Sequence, residues 1–142
     1  MTFHYLVRGV IRSKGKILLV HSKDANNTFL PGGHIESGEK AELALIREVK
    51  EELGYDIKID SFIGAVEHIW VENNNKHHEV NLVFDVNISE INADAVPKSL
   101  ESHLEFIWAK PNEFKFHNLQ PSSLIDCICN EKNKYNGYCG TW

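Results

Sequence analysis

Residues 33–55 have the sequence GHIESGEKAELALIREVKEELGY, in which a loop composition gives way to a helical one. Its first part carries Gly33, Ser37 and Gly38, a loop composition, and from Glu39 the spacing turns helical. Leu45, Ile46, Val49 and Leu53 form one stripe and Gly54 supplies the stop, so the pattern predicts a helix over Glu39 to Leu53. At about 100° per residue, Glu48, Glu51 and Glu52 share an arc of roughly 100° beside that stripe. One face packs and the other presents carboxylates. A glutamate-rich helix is ordinarily a solvated face with i, i+4 ion pairs. Here Glu48 and Glu52 are a like-charge pair at that spacing, and a glycine-rich loop stands immediately upstream, which argues against mere solvation.

Working outward, Phe3 to Ile11 and Lys16 to Val20 are rich in β-branched and aromatic residues, with Ser13 to Gly15 as the turn of a hairpin. Ser22 to Thr28 is polar, and Phe29 to Gly38, with Pro31-Gly32-Gly33 inside it, reads as an ordered loop. A second long hairpin is expected from Ile57 to Trp70 and Glu79 to Ile88, turning at Glu72 to Lys76. Ser89 to Ser102 reads as loop, Phe106 to Ala109 as a short strand and Pro121 to Asn130 as a closing helix, while the tail Glu131 to Trp142 is expected to be loosely held.

The segment resembles the Nudix box, a family pattern matched here by Gly33, Glu39, Arg47, Glu48, Val49, Glu51, Glu52 and Gly54, with Tyr55 where the family has an aliphatic residue. Seven non-aliphatic matches at fixed spacing arise by chance in roughly one chain per million at average residue usage. The flanking Leu30-Pro31-Gly32 and Ser37-Gly38-Glu39 are similar to this family too. The resemblance implies an α/β (α+β) fold, an α/β/α sandwich of a mixed sheet with the box helix and a C-terminal helix. It also implies a Mg²⁺-dependent hydrolase that cuts a phosphoanhydride bond in a nucleoside diphosphate linked to another moiety. ADP-ribose, nucleotide sugars, dinucleoside polyphosphates and (oxidised) nucleoside triphosphates all stay open as substrates, because specificity lives in loops. Glu48, Glu51 and Glu52 would ligate metal, the Gly32 carbonyl would complete the shell, and Arg47 and Glu39 would brace the loop on the helix. Physical chemistry points the same way: three close carboxylates raise one another's pKa unless a cation neutralises them, and an all-oxygen set selects Mg²⁺ or Mn²⁺ over zinc.

For the reaction itself, Glu48, Glu52, Arg47 and Glu101 are the expected catalytic residues, with Glu105 as a second possible base and His103 a poorer one. Trp70, Phe29 and Gly33 are expected to meet substrate. Trp70 and Phe29 could stack on a base, as could Trp108, although core packing is the commoner use of Phe29 and Trp108. His77 and His78 are adjacent, so on a strand they point to opposite faces and cannot chelate one ion together.

Length and composition bound the rest. The 142 residues suit one domain over 1–142, and 42% hydrophobic with 25% charged residues is ordinary for a globular protein. A net charge of -5 argues against a grip on long nucleic acid, and hence against an RNA-decapping activity. No apolar run nears the roughly 18 residues of a membrane span, and MTFHYLVRGV has no signal-peptide layout, so a cytoplasmic protein without a membrane partner is expected, as monomer or homodimer. The odd count of three cysteines suggests free packing thiols. The alternative from another class is a non-catalytic Nudix-fold nucleotide-sensing module, against which the intact glutamate set argues.

Overall fold

The computed structural model describes residues 1–129 and the backbone of Tyr138–Thr141. Strand β1 (Thr2–Ser13) and strand β2 (Lys16–Ser22) are joined by Lys14 and Gly15, both with positive φ, a turn one residue tighter than the sequence pattern predicts. Short strands β3 (Thr28–Phe29) and β4 (Gly32–His34) follow, then helix α1 (Ala41–Leu53). Strands β5 (Lys58–Glu72) and β6 (Asn75–Asn87) form the long hairpin. Strand β7 (Leu104–Ala109), helix α2 (Ser123–Cys129) and strand β8 (Tyr138–Thr141) complete the order.

Among the described residues, all eight strands belong to one mixed sheet. Its main path runs β3-β2-β1-β6-β5-β8, with β4 paired to β1 and β7 paired to β2. The β1–β6 and β5–β8 pairs are parallel and the others antiparallel. Alternation along the strands divides the core in two. Val7 and Ile11 of β1 with Leu18 and Val20 of β2 pack against Ala44, Leu45, Val49 and Leu53 of α1. Val10, Ile17 and Leu19 point the other way, toward Leu124 and Cys127 of α2. A mixed sheet with a helix on each face is the architecture expected from the sequence.

Several local expectations are corrected. Helix α1 begins two residues later than its pattern suggests, because Lys40 is extended at φ -74° and ψ 142° and stands as the N-cap. Ala44 is fully buried while Ile46 is only half-buried, so the packed stripe leans toward residue 44. The helix ends where expected: Gly54 adopts φ 81° and donates its N–H to the Lys50 carbonyl. The expected turn at Glu72 to Lys76 shrinks to Asn73-Asn74, both left-handed at φ 50° and 61°, the pair a two-residue hairpin turn needs.

The stretch read as loop after Thr28 contains β3, which pairs with β2, and β4, where glycine lets the chain press against β1. A Cβ on Gly32, whose φ is 141°, would lie 2.0 Å from the Val7 carbonyl oxygen. In the tail, the backbone of Tyr138–Thr141 pairs in parallel with Ala65 to His68, while the rest of that tail lies outside the described residues. Of the cysteines, Cys127 packs as expected and Cys129 is exposed. No helix of the described residues is long and apolar enough to cross a membrane.

Candidate active site

Three carboxylates leave α1 into three different environments. Glu52 is 3% exposed, against side-chain exposures of 18% for Glu48 and 51% for Glu51. That is the order their angular positions imply, since Glu52 borders the apolar stripe. Arg47 gathers the outer carboxylates: its Nη1 donates to Glu48 Oε1 at 2.9 Å and to Glu51 Oε1 at 3.4 Å. Its Nε and Nη2 make a two-pronged bond to Glu39, both at 2.9 Å, and Nη2 also reaches the His34 carbonyl at 3.1 Å. Glu39 in turn accepts the Glu36 N–H. The Arg47 guanidinium, and then that N–H, hold the Glu39 carboxyl down to about 2. Loop, strand β4 and helix are thereby tied through one side chain.

Glu52 has no such partner. Its Oε1 accepts the Gly32 N–H at 3.4 Å, while its Oε2 is buried without any hydrogen bond. Burial pushes its pKa up to about 8, against the opposing pull of Arg8 and the Gly32 N–H, and the charges of Glu48 and Glu101 push the same way as burial. Burial likewise raises Glu48, in spite of Arg47.

Glycine is required beside both carboxylates. A Cβ on Gly33 would lie 2.4 Å from the Glu48 carboxyl carbon, so Glu48 rests on bare backbone there. Gly32 faces Arg8 across the β1–β4 pair. The ladder bonds Gly9 N–H to Pro31 and Ile35 N–H to Tyr5 flank it at even spacing. Residue 32 therefore occupies a non-hydrogen-bonded position, with N–H and carbonyl turned out of the ladder, the N–H toward Glu52.

Among the described residues, no three His, Cys, Asp or Glu side chains converge as a ready ligand set, because Glu48 and Glu51 both lean on Arg47. The chemistry of the site nonetheless fits a hard divalent cation. A buried carboxylate oxygen lacks a partner, a second carboxylate lies one residue along β4, and every nearby donor is oxygen.

Beside the carboxylates opens a cavity of about 450 Å³, lined by Arg8, Asn27, Phe29, His68, Trp70, Glu72, Glu79, Asn81, Gln120 and Pro121. Trp70 and Phe29, two of the rings expected to meet substrate, are in its wall. Gly33 is not, and Trp108 turns away to pack on the α1 core, donating its Nε1 to the Ala95 carbonyl. Glu101 lies on the flank of Glu52, in a loop tied down by the Leu100 N–H on the Glu52 carbonyl at 2.8 Å. Glu105 belongs to β7 instead of that loop and pairs with His21 at 2.7 Å. His103, in the loop, stands 3.5 Å from Glu101. His77 joins a row of rings with His4 and Trp70, while His78 points to the opposite face beside Phe3, as adjacency on a strand requires.

The sequence reading missed Arg8, Asn81 and Glu79. Arg8 is half-buried, donates to the Leu30 carbonyl at 3.1 Å and lies over the Phe29 ring at 5.1 Å. Burial lowers its pKa while Glu52, Glu79 and Glu48 pull it upward, so this cation stands between the helix carboxylates and the cavity. The available signal was a lone arginine or asparagine inside otherwise apolar strand runs, YLVRGVI and VNLVF.

Fold and site together define an α/β domain whose mixed sheet sets a carboxylate-bearing helix beside a glycine strand and a cavity. The NUDIX domain model matches residues 3–125, and the chain belongs to that family. It is 37% identical over 87 residues to an ADP-ribose pyrophosphatase of Methanocaldococcus jannaschii, covering 58% of this chain and 49% of that protein. The match to the nucleoside triphosphatase NudI of Escherichia coli is 28% over 134 residues, 80% of this chain and 86% of that one. The chain thus spans about half the length of the first of these relatives. The crystal structure of a MutT NUDIX hydrolase from Burkholderia pseudomallei superposes with a TM-score of 0.65 at 25% identity, over 79% of this chain and 86% of the other.

Proposed function

We propose that this chain, as one domain, hydrolyses a phosphoanhydride bond in a nucleoside diphosphate linked to another group, with Mg²⁺ or Mn²⁺ held by Glu48, Glu51, Glu52 and the Gly32 carbonyl. The observation that carries this reading is Glu52, whose buried Oε2 has no partner although its neighbours are two more carboxylates and a strand of bare glycine. An uncompensated buried carboxylate destabilises a fold and is retained where function uses it. The cation would neutralise phosphate charge and act as a Lewis acid. The remaining work falls to the chain. Arg47 holds Glu48 and Glu51 together at the place where the cation would be bound, while Glu39 keeps Arg47 in place. Arg8 offers a second positive charge at the mouth of the cavity, where it draws the polyphosphate in beside Glu52. Trp70 and Phe29 hold the nucleoside by stacking. Glu101, on the flank of Glu52, is the residue we assign to proton removal from the attacking water, a role that depends on hydrogen-bond reach in the complex.

A screen of nucleoside diphosphate derivatives and triphosphates with Mg²⁺, reading released monophosphate or phosphate, tests the reading. Turnover of at least one substrate class, lost completely in EDTA, is the expected result. Undiminished turnover in EDTA would discard the mechanism, and binding without turnover would turn the domain into a nucleotide sensor.

A further inference from the structure

Asn81 is 1% exposed in the floor of the cavity, and both ends of its amide are engaged. Arg8 Nε donates to its Oδ1 at 3.4 Å, and its own Nδ2 donates to Glu79 Oε1 at 2.9 Å. The amide cannot flip without facing donor to donor at Arg8 and acceptor to acceptor at Glu79. This relay orients the Glu79 carboxylate, which also lines the cavity. Among the described residues Asn81 is its single hydrogen-bond partner, which leaves most of the roughly four acceptor sites of an ionised carboxylate unfilled. In register, Glu79 lies between His4 on β1 and His68 on β5, two residues from the Trp70 level of the sheet. Trp70, Phe29 and Glu79 line the same cavity, so a planar group stacked on either ring shares its space with this carboxylate. Arg8 feels both Glu79 and Glu52, which places it between the acceptor end of the cavity and the helix carboxylates.

We propose that Glu79 selects the base: the cavity takes nucleotides whose base turns adjacent N–H donors toward a carboxylate, guanine foremost, and disfavours uracil. The proposal rests on the reading above that the cavity receives the nucleoside part of the substrate. Guanine presents N1–H and the N2 amine side by side, a match to two carboxylate oxygens through charge-assisted bonds. Adenine and cytosine present an amine beside a ring-nitrogen acceptor, a half match. Uracil flanks its one N–H with two carbonyls, which would face the negative charge. The buried relay gives the carboxylate little freedom to retreat, so a mismatched edge leaves it desolvated and unpaired.

Isothermal titration of the full chain with GMP, dGMP, AMP, CMP and UMP, without added metal, tests this apart from turnover. GMP should bind tightest, about 10-fold or more above UMP, with AMP and CMP between. Glu79→Gln offers a donor as well as an acceptor and should narrow the GMP to UMP ratio to about 2-fold, while Glu79→Asp, which keeps the charge, should retain the order. The Asp variant alone decides the matter if the Gln variant does not fold, since a lost GMP preference there counts against the proposal. Equal affinities for all bases, an unchanged ratio in Glu79→Gln, or discrimination confined to GMP against dGMP would overturn it, the last by moving Glu79 to the sugar. Because monophosphates need no cleavage to bind, a negative hydrolysis screen would sink the proposed reaction and leave base selection measurable.

Discussion

On helix α1, charged side chains hold one another. Arg47 touches Glu39, Glu48, Glu51 and the His34 carbonyl, all within a stretch of 18 residues that lies on one loop and one helix face. On the sheet wall across from Arg8, flat rings and amides do the holding. His68, Trp70, His77 and His4 lie with neighbouring planes 11–18° apart, and His4 and His77 share a hydrogen bond of 3.0 Å in a common plane. The first region is a set of charges gathered around a single guanidinium, so it is sensitive to any change of charge. The second is a surface whose shape comes from strand register, so it tolerates charge changes better than changes of ring area. In the proposed function the first region performs the chemistry and the second recognises the substrate.

The sharpest way to break that comparison is Glu52→Gln. Removing the buried negative charge while keeping the shape should lower turnover on the order of 10²-fold or more, by the several kcal/mol that metal-held charge contributes. The melting temperature should hold or rise, because a buried carboxylate with an unpartnered oxygen opposes folding. Wild-type turnover at limiting Mg²⁺, measured beside the melting curve, would remove Glu52 from the mechanism. Arg47→Lys comes next. A lysine cannot reproduce the two-pronged bond to Glu39 while also reaching Glu48, so activity should fall about 10- to 100-fold, as for other residues that orient metal ligands. If steady-state kinetics put the whole loss in KM, Arg47 binds substrate and does not brace the loop.

Trp70→Ala attacks the other region. It should raise KM by the equivalent of about 1 to 3 kcal/mol and leave kcat nearly alone, since stacking serves ground state and transition state alike. A kcat loss as deep as that of Glu52→Gln would merge the two regions into one. The smallest effect belongs to the His21–Glu105 pair, which joins β2 to β7 away from both. The Glu105 carboxylate and the Ala25 carbonyl raise His21 above its ordinary 6.5, so the protonated form is the stabilised one. Its contribution is fully present below pH 6.5 and fades as pH rises through the raised value. Being largely solvated, the pair should be worth roughly 0.5 kcal/mol or less, read as the difference between His21→Ala and the parent in melts at pH 5.5 and 8.5. A larger gap would mean that the pair supports the site.

The two regions also differ in how much of them the sequence discloses. Glu48, Glu51, Glu52 and Arg47 are legible because a helix converts spacing directly into direction, and Gly54 marks the end of that helix. Phe29 and Trp70 could be suspected as rings that stack on a base but not assigned to one cavity, for they lie on different strands. Arg8, Asn81 and Glu79 were illegible. Their meeting depends on a parallel β1–β6 register that sets Leu6 opposite Asn81, and nothing in either segment alone specifies which residue finds which. The strands β3 and β4 were hidden for a related reason: two or three residues are too few to display a period, and only the pairing of β3 with β2 and of β4 with β1 makes them strands.

That same β1–β6 pairing has a consequence for the timing of synthesis. His4 and His77 are bonded partners 73 residues apart, so β1 leaves the ribosome long before its neighbour exists. At roughly 5 to 20 residues per second, the nascent strand waits about 4 to 15 seconds with that edge unpaired. During the wait Arg8 and Arg12 interrupt its apolar run at every fourth position, the spacing of gatekeeper charges that keep an orphan strand from sticking to other chains. The arginine that ends up between the two regions of the finished site would thus protect the strand before the site is made.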